Sequence, residues 1–286
     1  MAIVLDNITY TYGMGTPFEK IALRGVSLTI ENGEFLGVIG HTGSGKSTFV
    51  QHLNGLLHPT TGTVTVNGVD ISASTEEAKK MRHKVGMVFQ YPEHQLFEET
   101  IAQDIAFGPK NLGLSADEVD ERVRDAMKFV GLDYDTYAER SPFHLSGGQM
   151  RRVAIAGVVA MNPDFLVLDE PSAGLDPFGR EEIFEEIIRL HKEKGITVIL
   201  VSHNMEDISR MASRLVVLDK GRVVLDGEPM DIFNNHRDEL QAVGVDVPPV
   251  SVTMEYLREQ GLDVSNRVLS VDDAVQAILE GGSHVK

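Results

Sequence analysis

The sequence contains no cysteine, and it has no apolar run that approaches the roughly 18 residues expected of a membrane-spanning helix. The missing cysteines exclude structural disulfides and thiolate sites, and they fit a reducing compartment. The first residues, MAIVLDNITY, carry Asp6 and no basic region, so we expect no signal peptide there. Any membrane role is therefore expected to come through a protein partner.

Basic residues are also scarce, since 26 Lys and Arg stand against 43 Asp and Glu, a formal net charge of -17. Binding to a nucleic acid backbone needs Lys and Arg, so this balance predicts no nucleic acid partner. The same charge disfavours direct binding to an anionic bilayer. The 286 residues allow one large or two unequal domains with an ample core.

Hydrophobic patterns predict an α/β fold. Alternating apolar residues at 26–30 and at 63–71, the latter around an Asn67-Gly68 turn, predict an N-terminal antiparallel β subdomain. Continuous apolar runs are typical of strands buried on both faces of a parallel sheet. Four such runs are present, at 34–40, 84–90, 164–170 and 197–203.

The remaining segments complete a two-part organisation. Residues from about 92 to 160 predict a helical subdomain, with a capping-box pattern that begins at Ser115. A closing hairpin is expected around Lys220-Gly221. We predict one domain over 1–235 and a short α-helical C-terminal extension over 236–286, with a linker-like start and two short helices, the second beginning at Ser270.

The segment GHTGSGKS has the pattern of a phosphate-binding loop between a strand and a helix. Its glycines let backbone N–H groups surround phosphates, and Lys46 can reach the β- and γ-phosphates of ATP. The Ser47 hydroxyl can ligate Mg²⁺. The sequence thus predicts a P-loop NTPase core with these ATP-binding residues: Gly40, His41, Thr42, Gly43, Ser44, Gly45, Lys46, Ser47 and Thr48.

Polar side chains follow three of the predicted parallel strands. Asp169 ends the run FLVLD, where an acid can hold Mg²⁺, and Glu170 comes next, so strand alternation should point it elsewhere, towards an attacking water. Gln90 and His203 end two other strands and should lie at the same sheet edge. We therefore assign Glu170, His203 and Gln90 to catalysis, and Ser47, Gln90 and Asp169 to the metal.

A second phosphate cradle lies at LSGGQ, residues 145–149. Ser146 is a good N-cap, and the helix after it presents free N–H groups and its positive dipole end. One chain of this size would then carry two anion-binding devices, built from the phosphate loop and from Leu145, Ser146, Gly147, Gly148 and Gln149.

The motifs GHTGSGKST, LSGGQ, FLVLDEP, AGLD and SH occur in an order that resembles the ABC-type ATPases over roughly residues 1–235. The resemblance implies that two such domains meet head to tail and that LSGGQ caps the ATP bound by the partner's phosphate loop. It further implies that Asp176 lies at the dimer interface and that Tyr12 stacks on adenine. Ser172 stands where threonine is common, a mild departure.

The stretch from Pro92 to Ile105, together with LSGGQMRRVAIAG, resembles the energy-coupling factor (ECF) transporters, and specifically the second of their two ATPase paralogues. The resemblance implies a motor for the import of vitamins or transition-metal ions at the cytoplasmic face of the cell membrane. Leu96 and Phe97 are expected to contact a transmembrane coupling subunit, the alternative being an ordinary subdomain junction in which both are buried. The substrate-binding membrane subunit would be separate. A paralogous ATPase would complete a heterodimer, a homodimer being the alternative, and the C-terminal extension would help the pairing.

Two other functions stay open at this point. The chain could serve a conventional ABC importer, whose coupling surface would receive a different membrane partner. A non-transport ABC-type ATPase is disfavoured because the sequence has neither a long coiled-coil insertion, as in DNA-repair members, nor the second cassette usual in ribosome-associated members.

Overall fold

The computed structural model describes residues 1–265 and 267–281, and the strands within them form two sheets. In chain order the strands are β1 (Ala2–Tyr12), β2 (Lys20–Glu31), β3 (Phe35–Ile39), β4 (Thr61–Val66), β5 (Val69–Asp70), β6 (Val85–Val88), β7 (Phe165–Asp169), β8 (Thr197–Val201), β9 (Arg214–Asp219) and β10 (Arg222–Gly227).

The two sheets match the two kinds of strand pattern. The first sheet has the order β2-β1-β4-β5 and is antiparallel, with Asn67 and Gly68 at positive φ in the turn between β4 and β5. The second has the order β10-β9-β3-β8-β7-β6. Its pairs are parallel except for the β9–β10 hairpin. The four continuous apolar runs are β3, β6, β7 and β8, which are buried along their whole length.

Helices cover the parallel sheet and form the C-terminal region. They are α1 (Lys46–Leu53), α2 (Glu76–His83), α3 (Ile101–Asn111), α4 (Ala116–Phe129), α5 (Tyr134–Tyr137), α6 (Gly147–Val159), α7 (Pro177–Lys194), α8 (Met205–Met211), α9 (Pro229–Asn235), α10 (Arg237–Ala242), α11 (Pro249–Glu259) and α12 (Val271–Gly281). Two 3₁₀ turns, Pro92–Gln95 and Pro142–His144, precede α3 and α6.

The helical subdomain is built from α3, α4, α5 and α6. The capping box at the start of α4 is present, because the Ser115 hydroxyl accepts from the Glu118 N–H and the Glu118 carboxylate accepts from the Ser115 N–H. The apolar stripe of α4 packs with α3 and α6 in the larger of two main cores. The smaller main core contains residues of the antiparallel sheet, α1 and the parallel sheet.

The C-terminal region differs from the predicted linker and two helices. Helices α9 and α10 were not expected, and Leu240 of α10 and Val245 pack in the larger core. Helix α11 begins with Pro249, a residue suited to a first helical turn, inside the segment that was predicted to be a linker. Only from α11 onwards does the chain have a small core of its own, formed by Met254, Val264, Val268 and Ala274.

Helix α12 begins beside the predicted Ser270, whose hydroxyl accepts from the Asp273 N–H at 3.1 Å. Of the apolar residues of α12, Ile278 packs against the small core, whereas Val271 and Val275 are exposed. Within 1–265 and 267–281, none of the helices combines the length and the apolarity that crossing a membrane requires.

The β9–β10 turn fixes the back of the phosphate-binding loop. The Gly221 N–H donates to the Ser44 carbonyl at 2.7 Å, and the Gly221 carbonyl accepts from the Arg24 N–H at 2.8 Å. Gly221 has φ 77°, and a Cβ there would lie 2.3 Å from the Ala22 carbonyl oxygen. Only glycine allows so close an approach, so this turn joins the antiparallel sheet to the loop.

Candidate functional site

The phosphate-binding loop connects β3 to α1. Lys46, the first residue of α1, donates from Nζ to the carbonyls of Gly40 at 2.6 Å and His41 at 3.2 Å. Gly40 has φ 151°, and a Cβ there would lie 2.3 Å from the Leu218 carbonyl oxygen, so the loop passes close to β9. These contacts hold the ammonium group above the loop at the start of a helix, where anions bind.

A cavity of about 570 Å³, here called the phosphate-loop cavity, lies in front of this loop. Most of the predicted ATP-binding, catalytic and metal residues line it. They are Tyr12, Thr42, Gly43, Gly45, Lys46, Ser47, Thr48, Gln90, Asp169, Glu170 and His203. The carboxyl ends of β6, β7 and β8 therefore meet at one edge of the sheet, as their pairing requires.

Three predicted ATP-binding residues, Gly40, His41 and Ser44, are not among the residues that line this cavity. The Nε2 atom of His41 lies 2.9 Å from Oδ1 of Asp219, on the side where a second opening meets Gly244 and Asp246. Ser44 is fully buried, and its hydroxyl has no hydrogen-bond partner among the described residues. The predicted ATP-binding role of these residues stays a prediction.

The predicted metal ligands offer a set of oxygen atoms. Asp169 is 7% exposed, and its carboxylate accepts a hydrogen bond from the Ser47 hydroxyl. Burial raises the pKa of Asp169, while that hydrogen bond and the charge of Lys46 oppose the rise. A hydroxyl, a carboxylate and the amide of Gln90 on one cavity wall are donors that Mg²⁺ prefers, so the residues fit this ion.

Glu170 lines the same cavity as Asp169, and its predicted direction towards an attacking water stays a prediction. Its φ is 53°, a left-handed conformation that breaks the alternation of strand side chains. The Glu170 N–H donates to the Val201 carbonyl at 3.0 Å, and Nδ1 of His203 lies 2.8 Å from its Oε1. Such backbone strain is a feature of functional sites.

Burial raises the pKa of Glu170, and the nearby Asp169 adds to the rise. The hydrogen bond and charge of His203 and the charge of Lys46 act against it. Burial lowers the pKa of Lys46, and the charges of Glu170 and Asp169 oppose that change. A carboxylate with a raised pKa beside a fixed cation is suited to accept a proton from water near neutral pH.

Several wall residues were not predicted. Lys20, Ile21, Ala22 and Arg24 come from β2, and Lys220 comes from the β9–β10 turn. Three of these are cations, in a chain whose net charge is -17. They belong to no motif, and only the pairing of distant strands brings them to the cavity, so the sequence contained no local signal for them.

Tyr12 ends β1 and is 41% exposed at the cavity. Its hydroxyl lies 3.1 Å from Oγ1 of Thr48, and its ring packs edge-to-face against Tyr10, with centroids 4.8 Å apart. The ring is thus held at one side of the cavity, where adenine stacking remains a prediction.

The second predicted cradle lines a separate cavity of about 750 Å³, here called the signature cavity. Ser146 is the N-cap of α6, which begins at Gly147, and it forms a full capping box with Gln149. Asp176, the N-cap of α7, lines the same cavity and accepts from the Gly179 N–H at 2.7 Å. Leu145, the first signature residue, packs against the larger core.

The two predicted contact residues, Leu96 and Phe97, differ in exposure. Leu96 is 7% exposed and belongs to the larger core, so its assignment to a docking surface is wrong. Phe97 is 57% exposed and packs edge-to-face against the exposed Phe107, with centroids 4.9 Å apart. Phe107, which lies on α3, was not predicted as a contact.

Comparisons with known proteins agree with this geometry. The ABC transporter family model matches residues 23–173. Energy-coupling factor transporter ATP-binding proteins EcfA2 are similar over nearly the full length. The protein from Clostridium tetani is 54% identical, covering 98% of this chain and 97% of its own. The one from Clostridioides difficile is 50% identical, with coverages of 98% and 97%.

Solved structures show the same fold. CbiO1 of Clostridium perfringens, part of the ABC transporter complex CbiONQ, has a TM-score of 0.73 and 36% identity, covering 84% of this chain and 94% of its own. A dimeric ATP-binding cassette in a post-hydrolysis state, bound to ADP and Pi, has a TM-score of 0.70 and 32% identity, with coverages of 79% and 98%.

Proposed function

We infer that this chain, which belongs to the ABC transporter ATPase family, is the ATP-hydrolysing motor subunit of an energy-coupling factor transporter. The observation that carries the inference is the phosphate-loop cavity, where Lys46, Asp169 and Glu170 converge in front of a helix N-terminus. Vitamins or transition-metal ions are the class of cargo that we propose.

Hydrolysis follows from the groups around that cavity. Loop N–H groups and Lys46 bind the ATP phosphates, and Ser47, Asp169 and Gln90 would hold a Mg²⁺ ion that neutralises phosphate charge. The carboxylate of Glu170 accepts the proton of the attacking water, which its raised pKa favours. His203 orients that carboxylate through the 2.8 Å contact.

The signature cavity is the part of this chain that we propose contacts a partner ATPase. We propose that the N-terminus of α6 caps the ATP bound by a partner ATPase and that Asp176 contacts the partner there. Separation of the two cavities on one chain supports a composite site between subunits. A paralogous chain is the proposed partner, with a homodimer as the alternative, and the region 236–286 is proposed to assist pairing.

The membrane partners are reached through protein contacts. We propose that Phe97 and Phe107 receive a transmembrane coupling subunit at the cytoplasmic face of the membrane, while a separate membrane subunit binds the cargo. Their exposed edge-to-face pair is the support for this surface.

Replacing Glu170 by Gln tests the motor assignment. One general base commonly contributes about 10²–10⁴-fold, so turnover at this chain's own ATP site, measured beside a partner whose own site is inactivated, should fall by that factor while ATP binding is retained. Steady-state hydrolysis, cargo uptake and an ATP titration are measured on the same preparation. Glu185→Gln, an exposed carboxylate of α7, is the matched control. Turnover close to that of the control would remove Glu170 from catalysis.

A further inference from the structure

Arg151 is a charged residue buried in the core, two residues after the signature. Its side chain is 2% exposed. Nε donates to Oε2 of Glu93 at 3.1 Å, and Nη2 donates to Oε1 of Glu93 at 3.0 Å. Nη1 donates to the carbonyls of Pro171 at 3.0 Å and Ala173 at 2.9 Å. One guanidinium thus makes four hydrogen bonds, two of them bidentate to a carboxylate.

These bonds join three segments that serve different purposes. Arg151 lies on α6, whose N-terminus is the signature. Glu93 lies in the 3₁₀ turn that follows Gln90. Pro171 and Ala173 lie in the loop that leads from Glu170 to Asp176. Because the guanidinium is planar and its donors are fixed, a shift of one segment must move the others or break a buried hydrogen bond.

The ion pair between Arg151 and Glu93, together with the two carbonyls that Arg151 binds, is here called the Arg151 junction, and its electrostatics favour the charged form of Glu93. Burial pushes the pKa of Glu93 upward, but the hydrogen bonds and charge of Arg151 outweigh it, so the pKa lies below its usual range. Gly174 of this loop and Tyr91, the residue between Gln90 and the turn, line the same signature cavity. The loop and the turn therefore lie side by side there.

We propose that Arg151 is a positioning residue that couples the two ATP half-sites of this chain. It holds the signature helix, which faces the partner's ATP, and the Glu170 loop, which faces the chain's own ATP, in one fixed relation. Glu93 transmits the position of the turn after Gln90 to both. This inference rests on the proposed function, since it requires that the signature serves the partner's nucleotide.

A purely structural ion pair would behave differently from a coupler. Weakening it would lower the melting temperature, and every activity would fall in proportion to the unfolded fraction. If Arg151 couples the two half-sites, its replacement in protein that remains folded should lower the rate at the partner's ATP site. The ATP affinity of this chain should not change, because Arg151 does not line the phosphate-loop cavity.

The test uses a dimer in which this chain carries Glu170→Gln, so that the remaining turnover occurs at the partner's ATP site. Into that chain we introduce Arg151→Lys or Glu93→Gln. Small misplacements at a reactive site can cost about 10²-fold, so we expect a loss of that order in turnover with Arg151→Lys. ATP binding by the isolated chain should be unchanged. The double variant should lose little more than Arg151→Lys alone, because the two residues form one junction.

Asp120→Asn, which breaks the exposed ion pair to Arg124 on α4, is the matched control. Ser146→Arg in the same background separates the two hypotheses. If it leaves turnover intact, the composite site is wrong. If it abolishes turnover while Arg151→Lys and Glu93→Gln match the control, only the coupling role is overturned. A loss that merely follows the unfolded fraction also overturns it, and Glu93→Gln keeps the test available if Arg151→Lys fails to fold.

Discussion

Leu96 and Phe97 are neighbours in sequence, but the structure predicts opposite consequences for their replacement by alanine. Leu96 is 7% exposed in the larger core, and a buried Leu→Ala change costs about 2–5 kcal/mol. At about 2–4 °C per kcal/mol for a chain of comparable size, the melting temperature should fall by on the order of 10 °C.

Phe97 is 57% exposed, and its main contact is the edge-to-face pair with Phe107. Such a pair is worth about 0.5–1.5 kcal/mol, so Phe97→Ala should shift the melting temperature by only a few degrees. Co-purification with the transmembrane subunit should nevertheless fall strongly, because an exposed aromatic side chain at the proposed docking surface is lost.

Thermal unfolding of the isolated chain and capture by the tagged transmembrane subunit measure the two effects. Phe18→Ala, at a residue 87% exposed between β1 and β2, is the control for an exposed aromatic. Equal melting shifts for Leu96→Ala and Phe97→Ala would refute the burial argument. Capture of Phe97→Ala at the level of the Phe18→Ala control would remove Phe97 from the docking surface.

Two further predictions concern the signature and a buried acid. Ser146→Arg on one subunit should spare that chain's own ATP binding and block closure over the partner's ATP, measured by crosslinking, and loss of its own binding with the fold intact would contradict this. Burial raises the pKa of Glu186 to about 7, against the charges of Arg152 and Arg189. The folded chain therefore keeps a proton that the unfolded chain releases, so this group's contribution to stability is lost as pH rises from about 4.5 to 7. Glu186→Gln should raise the melting temperature more at pH 8 than at pH 5, and a pH-independent difference would refute it.

The sequence predicted those parts of the fold that depend on local patterns. Continuous apolar runs identified the parallel strands because a strand buried on both faces has no polar side. The phosphate-binding loop was identifiable because close backbone approach restricts residue types, as Gly40 illustrates. Placement of Asp169 at the cavity followed from its position at the end of such a run.

Features that depend on long-range packing were missed. Lys20 and Lys220 reach the cavity through pairing between distant strands, which no window of sequence reveals. Leu96 is buried by helices that follow it, so an apolar residue in a polar run was mistaken for a surface contact. The direction of Glu170 depends on a left-handed backbone that strand alternation does not predict.

The contact between Gly221 and Ser44 also governs when the nucleotide site can form during synthesis. The phosphate-binding loop emerges early, but the turn that closes behind it is made much later in the chain. Contacts so distant in sequence form slowly, because a long loop must close before they contribute. We therefore predict that a nascent chain that has not yet reached the β9–β10 turn binds ATP weakly, because Gly221 is not yet present to hold Ser44 of the phosphate-binding loop.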